Sequence, residues 1–228
     1  MNQSIYSEEF YKFHFTRSVQ SAEEMLPVVL SILPKINSVV DFGCGIGAWL
    51  SVCKSLNINH ICGYDGDWVQ SNQLVIPPES FNKVDLAKLT VTKRFDLAIS
   101  LETAEHLPES CAESFISVIS SSSDIILFGA AIPGYTDFGH INCQWQSYWV
   151  DLFAKQDYMY IDIRKLIWNN NKIAEWYRQN TLLYIKPKLL KDLCIPSELC
   201  DTSMVDIVHP LSYTKFLRYQ QNLNNSNT

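Results

Sequence analysis

The stretch Val39-Val40-Asp41-Phe42-Gly43-Cys44-Gly45-Ile46-Gly47 reads as a strand running straight into a glycine-rich turn, and Ala48 to Leu56 then resumes at helical spacing. Glycines leave no Cβ in the way, so the turn is tight and a ligand can approach the backbone closely. Gly43-x-Gly45-x-x-Ala48 also satisfies the fingerprint for a pyrophosphate seated on a helix N-terminus, and the glycines alone do not separate the two ligand classes. Asp41 tilts the choice. A carboxylate at the strand end repels a pyrophosphate and suits a ligand carrying an ammonium group. S-adenosylmethionine has such a group and no phosphate.

Outward from this turn, apolar runs alternate with helical stretches, the pattern of a parallel sheet covered on both faces. Further strands are predicted at His60 to Tyr64, near Val84, at Phe95 to Ser100 and at Asp124 to Ala131. Helices are predicted at Leu107 to Ser121 and Gln146 to Lys155. Tyr158 to Arg164 and Thr181 to Ile185 read as two closing strands that pair antiparallel. Glu8 to Leu33 reads as one or two helices, with Pro27 marking a bend or a new first turn.

Composition narrows the function classes. Hydrophobic residues make up 47% and charged residues 18% of the 228, ample for a buried core and unlike a disordered chain. Net charge is −6, with 18 Lys and Arg against 24 Asp and Glu and no basic tract, which argues against long nucleic acid as a partner. The longest apolar run, Ile125 to Ile132, is far short of the ~20 residues a membrane span needs. No export or transit signal is readable at MNQSIYSEEF, so the expected location is cytoplasmic. Seven cysteines without a CxxC pair fit neither a disulfide framework nor a zinc ribbon, and read as reduced thiols.

Asp65 ends the second strand, where a carboxylate can accept both hydroxyls of a ribose. Asp85-Leu86, after the third strand, is where an adenine amino group can be read. Each Asp also reads as a turn or cap residue. The strings VVDFGCGIGAWL, GYDGDW, VDL and FDLAISLETAEHL, in that order and spacing, resemble the class I S-adenosylmethionine-dependent methyltransferases over roughly residues 36–187. That resemblance implies a seven-stranded Rossmann-like α/β sheet, mostly parallel, with the cofactor at the carboxyl ends of the first strands. It assigns Asp41, Gly43, Gly45 and Gly47 to the methionine end, Asp65 to the ribose, and Asp85 and Leu86 to the adenine. Gly66-Asp67-Trp68 departs from the common apolar residue at this point, leaving Trp68 as an alternative stacking wall.

Methyl transfer needs an aligned nucleophile and, for a hydroxyl, a proton acceptor. Ser100 to Leu107 leaves the fourth strand carrying Glu102, Glu105 and His106, at i, i+3 and i+4, on one face if the segment is helical. His106 accepts a proton near neutral pH without a large shift. After the fifth strand, Pro133 to Asn142 is a glycine-flexed loop that can close His140 over the same site. His106 and His140 are therefore the candidate bases. Glu102, Glu105, His106 and His140 are the candidate ligands of a divalent ion, Mg²⁺ or Mn²⁺. The ExxEH element with a later His is similar to the small-RNA 3′-end 2′-O-methyltransferases; EHL after this strand also occurs in the superfamily without a metal. His14, His60 and His209 read as structural or exposed.

Trp145, Tyr148 and Trp149 recur at helical spacing and read as a core face, with a sugar platform as the alternative. Asn142, Arg164 and Arg178 are candidate hydrogen-bond partners of a substrate. The organisation expected is an N-terminal helical lid over 1–35, with Tyr6, Tyr11 and Arg17 shielding the reaction, a methyltransferase domain over 36–187 and an extension over 188–228. That extension lacks a clear period, ends as a frayed polar tail and is expected to carry no function. The activity expected is O-methylation of a small sugar-like or secondary-metabolite acceptor. Alternatives are a metal-assisted RNA 3′-end 2′-O-methyltransferase, an NAD(P)-binding oxidoreductase and a non-catalytic cofactor-binding module.

Overall fold

In the computed structural model, which describes residues 8–134, 139–193, 195–196, 199 and 203–226, the apolar runs become seven strands. These are β1 (Ser38–Phe42), β2 (His60–Asp65), β3 (Phe81–Lys83), β4 (Leu97–Leu101), β5 (Ile125–Gly129), β6 (Met159–Ile161) and β7 (Leu182–Ile185). They form one sheet in the order β3-β2-β1-β4-β5-β7-β6. The first five pair in parallel, and β7 runs antiparallel to both β5 and β6. Between β1 and β4 the crossovers change direction, which opens a crevice at the strands' carboxyl ends.

Among the described residues seven helices accompany the sheet: α1 (Glu8–Ser31), α2 (Ala48–Ser55), α3 (Ala112–Ser122), α4 (Gln146–Ala154), α5 (Arg164–Ile167), α6 (Glu175–Asn180) and α7 (Pro210–Ser226). Successive strand side chains point to opposite faces, and here both faces are apolar, as buried parallel strands require. Val39, Leu97, Ile99 and Leu127 join Met25 and Leu26 of α1 and Leu50 of α2 in one core. Val40, Phe42, Ile126 and Phe128 join Phe115 of α3 and Trp149 and Phe153 of α4 in the other. In the second core Phe153 stacks on Tyr184 at 4.0 Å and Phe128 tilts against Trp149 at 5.2 Å. Such pairs add roughly 0.5–1.5 kcal/mol each beyond their buried area.

Three elements differ from the sequence reading. Pro27 neither bends off a new element nor starts one; α1 continues through it. α3 begins at Ala112 rather than Leu107, because Pro108 disfavours the α conformation at Leu107 and a short 3₁₀ turn, Glu109–Cys111, intervenes. The extension after residue 188 is not without structure. Pro210 opens α7 at the first helical position, where its missing N–H costs nothing. His209 caps that start, its Nδ1 accepting from the Leu211 amide at 3.1 Å.

No helix among the described residues is long and apolar enough to cross a membrane. Cys44, Cys53, Cys62 and Cys111 are free thiols, the first two buried, and Cys194 and Cys200 lie outside the described residues.

Candidate active site

The turn between β1 and α2 is held by backbone. Gly43 and Cys44 both donate to the Tyr64 carbonyl, and Gly47 caps α2. Gly43 and Gly45 both have positive φ, for different reasons. A Cβ at Gly43 would lie 2.0 Å from Thr103 Oγ1, whereas one at Gly45 would meet no atom within 4 Å and would enter the cavity that Gly45 lines. Glycine at 43 lets β1 and the turn after β4 close together; at 45 it keeps a cradle clear. Gly47 abuts Ile76.

The Asp65 carboxylate anchors this turn. Its Oδ2 accepts from the Gly45 amide and its Oδ1 from the Gly66 amide, each at 2.6 Å. The Trp68 side chain also hydrogen-bonds this carboxylate. Asp41 is 2% exposed and lines the cavity. Burial, and then the Asp65 charge, push its carboxyl well above the usual carboxylate range. A cation beside it would favour the charged form.

Around this turn opens a cavity of about 520 Å³ that reaches from Asp41, Gly43 and Gly45 to Glu102, His106 and His140. Glu102 leaves β4 in the left-handed region, at φ 55, and a 3₁₀ turn, Ala104–His106, follows. The expected single helical face is therefore absent. Glu102 accepts from Asn180 Nδ2 at 2.9 Å, and burial pushes its carboxyl up to about 7. Glu105 is fully buried, and burial followed by the Glu102 charge raises its carboxyl further.

The amides of Ile141 and Asn142 both donate to the Glu105 carbonyl, at 2.8 and 3.0 Å. That tether brings the His140 ring to 4.7 Å from His106, edge to face. Burial, and then His140, hold His106 down at about 4, so its imidazole is neutral at physiological pH. Glu105, His106 and His140 each offer one ligand atom within 4.8 Å of the others, and Glu102 stands outside that group.

Other predicted residues sit elsewhere. Asp85 caps the turn Leu86–Lys88 by accepting from the Ala87 amide at 3.1 Å and pairs with Lys88, while Leu86 is buried in the second core. Trp68 is 44% exposed over Gly66 and does not line the cavity. Trp149 is a core residue as read, but Trp145 on the same helical spacing is exposed. Arg164 is fully buried and grips Asp162 through Nε and one terminal nitrogen at 2.8 and 2.9 Å; it is no substrate partner. Arg178 donates to the Trp168 carbonyl and Asn171. Tyr6 lies outside the described residues, as does 135–138, and nothing is described of the Tyr11 side chain. Arg17 bonds Gln20, and it is His14, Phe15 and Ser18 of α1 that reach the cavity.

Sequence reasoning missed the cavity's outer wall. His14, read as structural, belongs to it, as do Asn180 of α6 and Lys215, Phe216 and Tyr219 of α7. No local motif marks them; they meet only because the chain returns over the sheet's edge.

The sequence profile of a family described as "Methyltransferase domain" matches residues 15–121. No curated protein matches the sequence. Among solved structures, DesVI of Streptomyces venezuelae is similar at 9% identity and a TM-score of 0.60, over 82% of this chain and 99% of that one. A SAM-dependent methyltransferase from Archaeoglobus fulgidus is similar at 19% identity and a TM-score of 0.54, over 68% and 77%. Magnesium protoporphyrin IX methyltransferase (ChlM) from Synechocystis PCC 6803, solved with bound SAM, is similar at 16% identity and a TM-score of 0.53, over 81% and 88%. At these identities the likeness to solved structures is one of fold.

Proposed function

We propose that this chain is a class I S-adenosylmethionine-dependent methyltransferase that methylates a hydroxyl of a small sugar-like or secondary-metabolite acceptor. One observation carries the reading: a single cavity joins the glycine turn and Asp41 to the paired rings of His106 and His140.

In this reading Asp41, Gly43, Gly45 and Gly47 hold the methionine end and Asp65 the ribose, while Asp85 and Leu86, which do not line the cavity, would reach the adenine only at its outer edge. The residues suit that cofactor. The space beside Gly45 admits a ligand against backbone, and a positively charged one beside Asp41 would draw its buried carboxyl toward the charged form. When bound, S-adenosylmethionine supplies a methyl group on a positively charged sulfur, which is a good leaving group. The chain's own contribution is alignment and proton removal. His106, neutral at physiological pH, has a lone pair to accept the hydroxyl proton, and His140 stands beside it as the other candidate base. α1 and α7 both line the cavity, where they would shield the reaction from water.

A second reading rests on Glu105, His106 and His140. Both Glu105 oxygens and His106 Nδ1 are buried without a hydrogen-bond partner of good geometry, and the three residues converge. They fit a divalent ion, Mg²⁺ or Mn²⁺, which would lower the pKa of a coordinated hydroxyl. Metal-assisted methylation of a terminal RNA diol is the form this reading takes.

Isothermal titration with S-adenosylhomocysteine and with NADH tests the first reading, which expects the former to bind and the latter not; a preference for NADH overturns it. Turnover on an acceptor panel with EDTA or added Mn²⁺ separates the two readings. Activity that survives EDTA rejects the metal.

A further inference from the structure

We infer that the acceptor is a planar aromatic hydroxy compound, bound in a chamber that the C-terminal helix α7 completes. The inference rests on the methyltransferase reading and chooses between its two acceptor bodies, the sugar-like and the secondary-metabolite.

Beyond His106 and His140 the cavity wall is built from three helices far apart in sequence. α1 contributes Phe15, α6 contributes Trp176 and Tyr177, and α7 contributes Phe216 and Tyr219. The Phe216 ring lies beside Gly134, where a Cβ would come within 2.8 Å of it. Aromatic rings on several sides offer stacking and edge contacts to a flat apolar body.

Several polar side chains of this wall bond within the protein. The Tyr177 hydroxyl is shared with Ser18 Oγ at 2.8 Å and accepts from Trp49 Nε1 at 3.3 Å. The Gln179 amide donates to the Ile207 carbonyl and accepts from the His209 amide. Glu175 and Lys215 pair with each other. A sugar brings several hydroxyls, and those lying among the rings would lose water without gaining a partner from these committed groups.

At the inner end the situation reverses. Asn180, 5% exposed, lines the cavity with its Oδ1 buried and without a partner, while its Nδ2 donates to Glu102. An unpartnered acceptor on a residue that lines this inner end suits one hydroxyl donor. The flat body then lies among the rings, and the hydroxyl lies inward, toward Asn180 and the two histidines.

The full-length protein, saturated with S-adenosylhomocysteine, is titrated calorimetrically with 2-naphthol and catechol and with methyl α-glucoside and myo-inositol. The aromatic probes are expected to bind at least tenfold more tightly than the carbohydrates, and Trp176→Leu in α6 and Phe216→Leu in α7 are each expected to weaken them at least fivefold. Using one variant from each helix keeps the test alive if either fails to fold, and the S-adenosylhomocysteine titration on the same sample reports that. Carbohydrates binding as tightly as the aromatics, or aromatic binding unchanged in both variants, or no binding of any probe to the cofactor-loaded protein, overturns the inference. Failure of S-adenosylhomocysteine itself to bind the wild type overturns the methyltransferase reading instead.

Discussion

The Gly45 amide donates to Asp65 Oδ2 at 2.6 Å, so the carboxylate that ends β2 fixes the shape of the turn that follows β1. Asp65→Asn replaces one acceptor oxygen by an NH₂ group that would face the Gly45 or Gly66 amide, donor against donor. The expected cost is about 1.5–3 kcal/mol of stability, with S-adenosylhomocysteine affinity falling at least about tenfold. Denaturant titration and calorimetry check both, and unchanged affinity would remove Asp65 from the cofactor site.

Gly45→Ala and Gly43→Ala separate binding from folding. At 45 the new methyl enters open space, so the fold survives with about 1–2 kcal/mol of backbone strain, while cofactor affinity falls. At 43 the methyl meets Thr103, so the loss of stability is larger than at 45. Melting temperatures of the two variants, set beside their affinities, should rank in opposite orders.

Glu102 gives a pH signature. Its carboxyl is raised from 4.5 to about 7, chiefly by burial, so the folded protein holds this proton more tightly than the unfolded chain does. The associated stability is fully present below about pH 4.5 and is lost as pH rises through about 7. Relative to wild type, Glu102→Gln should therefore gain up to about 3 kcal/mol on going from about pH 5 to about pH 8. Urea unfolding of both proteins across that range would show it; parallel curves would not.

His106→Ala and His140→Ala should leave the sheet folded, and at least one of them should lower kcat on a true acceptor by about tenfold or more. Because His106 titrates near 4, no loss of activity from its protonation is expected between about pH 6 and 8. If neither variant loses that much in single-turnover assays, proton removal belongs to another group.

Arg164→Ala should act on stability rather than on substrate binding. It leaves the buried Asp162 carboxylate without its bidentate partner, at a cost of about 3–5 kcal/mol. A KM effect without destabilisation would restore the role the sequence reading gave this residue.

Much of the fold was legible because it is written in local pattern. β1, the turn and α2 follow from consecutive residues 39–56, and β2, β4 and β5 from apolar runs whose bounds moved by two residues or fewer. Pro108 shows where pattern yields to backbone sterics: apolar spacing pointed to a helix from Leu107, and the proline delayed it to Ala112. Glu102, Glu105 and His106 show the same limit at the site. Their spacing suits one helical face, but the left-handed Glu102 sends its carboxylate to Asn180, 78 residues away.

The sequence by itself determined the parallel sheet, the glycine turn at its carboxyl edge and the presence of carboxylates and imidazoles there, since each depends on neighbours within a few residues. Tertiary structure alone decided that His140 converges with His106 and Glu105 while Glu102 stays outside that group, and that α7, in an extension without a clear period, walls the cavity with Phe216 and Tyr219. The physical reason is range. Steric and hydrogen-bond preferences act along the chain, whereas a site is a set of distances between segments, fixed only once burial of both sheet faces has chosen how those segments stack.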